Sequence, residues 1–241
     1  MVSSISQRER STILLASMKG LSMKHAKTLC AAAALSLAAL GAPAAQAAGV
    51  EVLNEGFDNV GGLSGWAQVN DSAPAGSAWF QGNGALFPAY AGSADAYAAA
   101  SFLSAANGSG SVDNWLITPF LDLSGTTLLS FYTRGAGDPG FSDQLEVYFA
   151  SGDSLDPAGF TTLLATIGNT GGYPDAWSLV STSIATEGAG RFGFRYVGAA
   201  DSLNYIGLDS VSVVTAVPEP SAWMMLALGL GGLGLLRRKQ S

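Results

Sequence analysis

Between residues 48 and 216 the chain has no cysteine, no histidine and no lysine. The only cysteine of the 241 residues, Cys30, and the only histidine, His25, both precede that stretch. Their absence removes several chemistries from the body of the protein. No Ser-His-Asp or Cys-His nucleophile can be assembled there. No Cys/His zinc site can be built either. With no disulfide framework, the body must stand on its apolar core or on a bound ion. Positive charge is almost as scarce. Arg134, Arg191 and Arg195 face sixteen acids from Glu51 to Asp209, a net charge of −13. Such a surface repels nucleic acid and anionic lipid, so no nucleic-acid partner is expected. Long helical apolar stripes are also missing between residues 48 and 216.

Glycine, at 31 residues, and short apolar runs are what the chain has instead. Low charge with abundant glycine suits an exported, turn-rich β domain. Alternation predicts strands at Val50–Glu55, Ala78–Gln81, Ala96–Leu103, Trp115–Thr118, Thr127–Thr133, Gln144–Ala150, Thr162–Ile167, Trp177–Ile184, Arg191–Val197 and Tyr205–Thr215. Leu145, Val147 and Phe149 share one face of their strand, and Phe192, Phe194 and Tyr196 share one face of theirs. Gly135–Gly140 and Gly171–Pro174 read as turns. The expected fold class is all-β, an antiparallel β-sandwich of jelly-roll type over residues 48–216.

The two ends read differently. Residues 1–47 have the pattern of a signal peptide: Lys19, Lys24 and Lys27, an apolar run from Leu29 to Leu40, then Ala45-Gln46-Ala47 as a small-x-small cleavage site. The basic region is long when counted from Met1, so Met18 and Met23 are alternative starts. Cys30 precedes the apolar run, whereas a lipidated cysteine follows it, so a lipoprotein is not expected. At the other end, residues 217–241 hold Pro218-Glu219-Pro220, an uncharged run from Ala222 to Leu236, and Arg237-Arg238-Lys239. Fifteen helical residues reach about 22 Å, short of the ~30 Å hydrocarbon core, and snorkelling arginines bring the segment near a minimal span. A short transmembrane helix is therefore expected, with the basic flank cytoplasmic and the body on the far side.

Pro218-Glu219-Pro220, a short apolar helix and a basic end, in that order, resemble the PEP-CTERM sorting signal. The resemblance implies recognition by an exosortase, passage through the inner membrane, and delivery to the cell surface or beyond in Gram-negative bacteria that make exopolysaccharide. The body has a second resemblance. Glu55-Gly56-Phe57-Asp58, Asp113-Asn114-Trp115-Leu116-Ile117-Thr118-Pro119, Leu121-Asp122-Leu123-Ser124-Gly125 and Gly207-Leu208-Asp209-Ser210-Val211 are similar in order to the choice-of-anchor J domain, akin to MAM-like and cleaved-adhesin jelly rolls. That family often closes on two aspartates, and here the second is Ser210.

Three functional expectations follow. First, Glu55 shares parity with Leu53 and Phe57, and Asp209 with Val211 and Val213. If those hydrophobes face the core, both carboxylates point inward and need a cation or hydrogen bonds. Calcium, which takes oxygen ligands, is the expected cofactor, with Asp58 and Asp113 as further ligands. Related adhesin-like domains bind calcium, which the resemblance implies. The alternative is that Glu55 and Asp209 bond loop amides or pair with Arg191 or Arg195. Second, aromatic side chains offer a sugar platform, with Tyr173 and Trp177 beside a turn as the exposed pair, against the ordinary reading of aromatics as core. Third, hydrolysis of a glycan by two carboxylates stays open, but Glu51, Glu55, Glu146 and Glu187 show no distinctive spacing. The chain is thus expected to be a non-enzymatic, exosortase-sorted surface or matrix protein, structural or adhesive in a biofilm. The alternatives are an exopolysaccharide-binding module and, after it, a glycan-active enzyme.

Overall fold

The computed structural model describes residues 49–168 and 172–216. The expected signal peptide and the expected C-terminal membrane helix lie outside the described residues. Among the described residues, ten antiparallel strands join in one sheet: β1 (Gly49–Glu55), β2 (Ala67–Asn70), β3 (Phe80–Gln81), β4 (Ala98–Ser101), β5 (Ser111–Ile117), β6 (Leu121–Gly135), β7 (Gln144–Ser151), β8 (Thr162–Gly168), β9 (Ser178–Ala199) and β10 (Tyr205–Ala216). The main path runs β2-β5-β9-β6-β10-β4-β3; β1 adds to β10, β7 adds to β9, and β8 adds to β7.

The sheet passes from one layer to the other through β9. Residues 178–190 of that strand pair with β6, whereas residues 190–199 pair with β5 on one side and β7 on the other. One strand therefore serves both layers of a sandwich. Two expected strands, Trp177–Ile184 and Arg191–Val197, are halves of this one. The residues between them, outside both expected strands, continue the strand, and their glycines let it bend. Gly188 has φ +109°, in the region open to glycine. At Gly190 a Cβ would stand 2.5 Å from the Phe149 ring and 2.6 Å from the Ala150 carbonyl oxygen. The expected jelly roll is thus observed as a curled antiparallel sheet that forms a β-sandwich.

Alternation sets the inner faces. Leu145, Val147 and Phe149 of β7, Phe192, Phe194 and Tyr196 of β9, and Leu129 and Phe131 of β6 are all buried in one cluster. Phe131 meets Phe194 edge-to-face across the sandwich, with ring centroids 5.2 Å apart. Each such side chain contributes roughly 1.5–3 kcal/mol of apolar burial. A second, smaller cluster of Phe87, Tyr97, Ala99 and Tyr205 lies on the other face of β4 and β10, beneath residues 82–97.

Candidate functional site

Because β5, β7 and β9 turn their even or odd positions inward, the intervening residues share the outer face. Arg195 lies opposite Trp115 on β5 and opposite Glu146 on β7. Its guanidinium bridges both neighbours. Nε and Nη2 donate to the two oxygens of Asp113 at 2.8 and 2.7 Å, and Nη1 donates to Glu146 Oε2 at 3.1 Å. Trp115 Nε1 donates to Asp113 Oδ1 at 2.7 Å, and the Tyr148 hydroxyl donates to Glu146 Oε2 at 2.8 Å. The hydrogen bond to Asp113 is the main reason that the Arg195 pKa is raised, so this cation stays charged. Burial, then the bond to Glu146, pushes the Tyr148 hydroxyl up.

The segment between β7 and β8 walls this face. Asp156 Oδ1 accepts from the Ala158 amide at 2.9 Å and caps a single turn at Pro157–Gly159. Phe160 then packs down over Gly193, where a Cβ would meet the Phe160 and Trp115 rings at 3.0 Å. Glycine at 193 thus lets two aromatic rings rest on the backbone. Between wall and sheet lies a cleft of about 320 Å³, lined by Asp113, Trp115, Tyr148, Pro157, Ala158, Phe160 and Arg195. Trp115 and Phe160 are buried in its floor, and Asp113, Tyr148 and Arg195 are partly open to solvent. Asp113 was expected here as a calcium ligand; its two oxygens are instead committed to Arg195 and Trp115. Tyr148 and Phe160 are the residues that sequence reasoning missed; Arg195 was named only as a partner for Glu55 or Asp209, and Glu146 only among four glutamates without distinctive spacing. The inward parity of Phe194 and of Val147 already implied that Arg195 and Glu146 face outward. What the pattern lacks is which strands lie side by side.

The other expected calcium ligands lie elsewhere. The first and last strands are neighbours, with Glu55 opposite Val211. Glu55 Oε1 accepts from the Phe57 amide at 2.8 Å. Asp58 lies by Gly92, where a Cβ would stand 3.3 Å from Oδ1. Asp209 is fully buried, but not on the Val211 face. Ser210, at φ +51°, starts a bulge in which Ser210 and Val211 together oppose one residue of β6. Leu208 and Val211 therefore both enter the main core, and Asp209 turns to the opposite face. There Oδ2 accepts from the Tyr90 and Ala91 amides at 2.8 and 3.1 Å, and Oδ1 accepts from the Ser210 hydroxyl at 3.1 Å. Burial raises the pKa of Asp209, against these bonds. Asp113 lies on β5, which pairs with β2 and β9 and not with β1 or β10. Among the described residues no group of three or more acidic, histidine or cysteine side chains is placed to hold a metal ion. Arg195 holds Asp113 apart from the other three expected ligands; of these, Glu55 Oε1 accepts the Phe57 amide and Asp209 accepts the Tyr90 and Ala91 amides.

The expected sugar platform is also built differently. Trp177 packs edge-on to Phe87 and Tyr97, at centroid distances of 5.7 and 5.6 Å, and its Nε1 donates to the Pro88 carbonyl. Tyr173 is partly buried against the main core, with its hydroxyl on Thr133. Trp177 thus ties residues 82–97 to the sandwich edge, and Tyr173 packs on the main core, the packing role aromatic residues ordinarily have.

Comparison with known proteins bears on both parts of the chain. Residues 216–240 match the PEP-CTERM protein-sorting motif, which includes Pro218, Glu219 and Pro220 and the Arg237-Arg238-Lys239 flank. That motif implies export, exosortase processing and sorting to the surface. No curated protein matches the chain in sequence. Among solved structures, the chain is similar to the K3 cleaved adhesin domain of Lys-gingipain (Kgp) from Porphyromonas gingivalis W83, with a TM-score of 0.56 and 24% identity over 70% of this chain and 100% of that one. The K1 cleaved adhesin domain of the same protein gives a TM-score of 0.55 and 27% identity over 69% of this chain and 99% of that one. The chain therefore carries a PEP-CTERM sorting motif behind a β-sandwich similar to cleaved adhesin domains.

Proposed function

We propose that this protein is a non-enzymatic adhesive or structural component of the cell surface or extracellular matrix, delivered by an exosortase. The observation that carries the reading is the pairing, in one chain, of the sorting motif with an adhesin-like domain. A non-enzymatic role is supported by the composition of the body, which has neither histidine, cysteine nor lysine between residues 48 and 216. It is supported too by the outer-face cleft, where Asp113 and Glu146 both bond Arg195 and hold it charged. Two carboxylates tied to one cation are poor candidates for the acid and base of glycan hydrolysis, which need distinct proton affinities.

The test is co-sedimentation of the purified full chain with insoluble exopolysaccharide matrix isolated from the producing cells, in millimolar calcium and in chelator. Retention in the pellet in both conditions is the expected result, since Glu55, Asp113 and Asp209 each accept hydrogen bonds from protein groups. A chain that stays in the supernatant in both conditions contradicts adhesion to the matrix. Release of reducing ends from the matrix would contradict the non-enzymatic reading.

A further inference from the structure

We infer that the cleft on the outer face of β5, β9 and β7 is a binding site for a neutral glycan. Its size comes first. At about 320 Å³ it lies at the small end of the roughly 300–1,000 Å³ range of small-ligand sites, enough for a short stretch of a chain and not for a large cofactor. Its lining comes second. Tyr148 and Pro157 offer C–H and ring faces, while Asp113 and Arg195 supply hydrogen-bonding groups at the same wall. Arg195 has five N–H donors, and three are used by Asp113 and Glu146. Two N–H groups of Arg195 and the one remaining lone pair of Asp113 Oδ2 then offer donor and acceptor at the same wall. A pyranose presents the same mixture, apolar on its C–H face and donor-acceptor at each hydroxyl.

Charge selects the class of glycan. Arg195 is answered by two carboxylates, so the cleft has no uncompensated cation for a uronate, sulfate or phosphate. The surrounding body, at −13, repels polyanions further. Rigidity supports recognition. The Tyr148 hydroxyl is fixed on Glu146, Gln144 Nε2 donates to the other oxygen of Glu146 at 2.8 Å, and the wall is pinned by the Asp156 cap and by Phe160 over Gly193. A site ordered before binding loses less entropy on binding. The inference does not rest on matrix retention, which could arise through another surface, so the two tests fail separately.

The experiment is calorimetric titration of the full chain in mild detergent with cellohexaose, xylohexaose, laminarihexaose and maltohexaose, and with a galacturonate hexamer as the acidic control. At least one neutral hexasaccharide is expected to bind, and the acidic hexamer more weakly. Tyr148→Ala removes the ring, and Ala158→Leu fills the cleft from an exposed position whose side chain holds no hydrogen bond. Each is expected to weaken that binding tenfold or more, with Tyr148→Phe within a few-fold of the parent chain. Ala158→Leu keeps the test open should Tyr148→Ala lose its fold, which a thermal melt would show. Lack of binding by every neutral hexasaccharide at millimolar concentration overturns the inference. So does preference for the acidic hexamer, or binding that Ala158→Leu leaves unchanged.

Discussion

Replacing Asp209 by alanine is expected to lower stability by about 3–4 kcal/mol, by the same amount in calcium and in chelator. The carboxylate is fully buried and receives the Tyr90 and Ala91 amides and the Ser210 hydroxyl. Alanine leaves two backbone N–H groups without their acceptor, at about 1–3 kcal/mol for each buried group that finds no other. The loss spreads beyond one residue. Tyr90 stacks on Tyr132, with centroids 3.5 Å apart, so the anchored amides hold residues 82–97 over the second aromatic cluster. Denaturant midpoints at constant m-value measure the effect. A destabilisation present in calcium and absent in chelator would show that Asp209 acts through the ion after all. Asp209→Asn retains an acceptor and should cost less than half as much. Its pH dependence has a fixed sign. Burial raises the pKa of Asp209 in the fold, so its favourable contribution is fully present below the ordinary carboxylate value and is lost as pH rises through the folded one. The parent chain should therefore gain more stability than Asp209→Asn as pH falls from neutrality.

The second large effect is expected at Arg195. Exposed ion pairs contribute roughly 0–1 kcal/mol, whereas breaking a buried one costs about 3–5 kcal/mol. Side-chain exposures of 26% for Arg195, 28% for Asp113 and 15% for Glu146 place this triad between those limits. Arg195→Ala should thus cost about 2–3 kcal/mol. It leaves two carboxylates facing each other without their shared cation, and uncovers the Trp115 ring, whose centroid lies 5.4 Å from the guanidinium carbon. Arg195→Lys keeps the charge but cannot span Asp113 with two parallel N–H donors, and should recover less than half of the loss. Urea unfolding of the three chains checks this. A cost near zero for Arg195→Ala would mean that the triad is an ordinary surface pair.

Local rules carried much of the fold. Period-two alternation placed Leu145, Val147, Phe149, Phe192, Phe194 and Tyr196 inside, and all six are buried there. Two failures have specific causes. Gly188 and Gly190 carry the composition of a turn, yet the chain uses them to keep one strand running between two layers. Ala67–Asn70, which was not expected as a strand, is too short to show alternation and is a strand because β5 pairs with it. The candidate site was less legible. Arg195 and Asp113 are 82 residues apart, and only the order β5-β9-β7 brings them together. Asp209 was read on the wrong face because parity assumes a straight strand, and one residue at positive φ, Ser210, breaks it.

Delivery of this domain to the surface by the exosortase route is tested by cell fractionation. The full chain and its variant lacking Val217–Ser241 are followed through cytoplasmic, inner-membrane, cell-surface and medium fractions of a producing cell that has an exosortase, and of the same cell with the exosortase removed. The full chain should reach the surface or medium only with the exosortase present, and should stay in the inner membrane without it. The truncated chain should distribute alike in both cells. Identical distributions of the full and truncated chains in the exosortase-bearing cell would contradict the account.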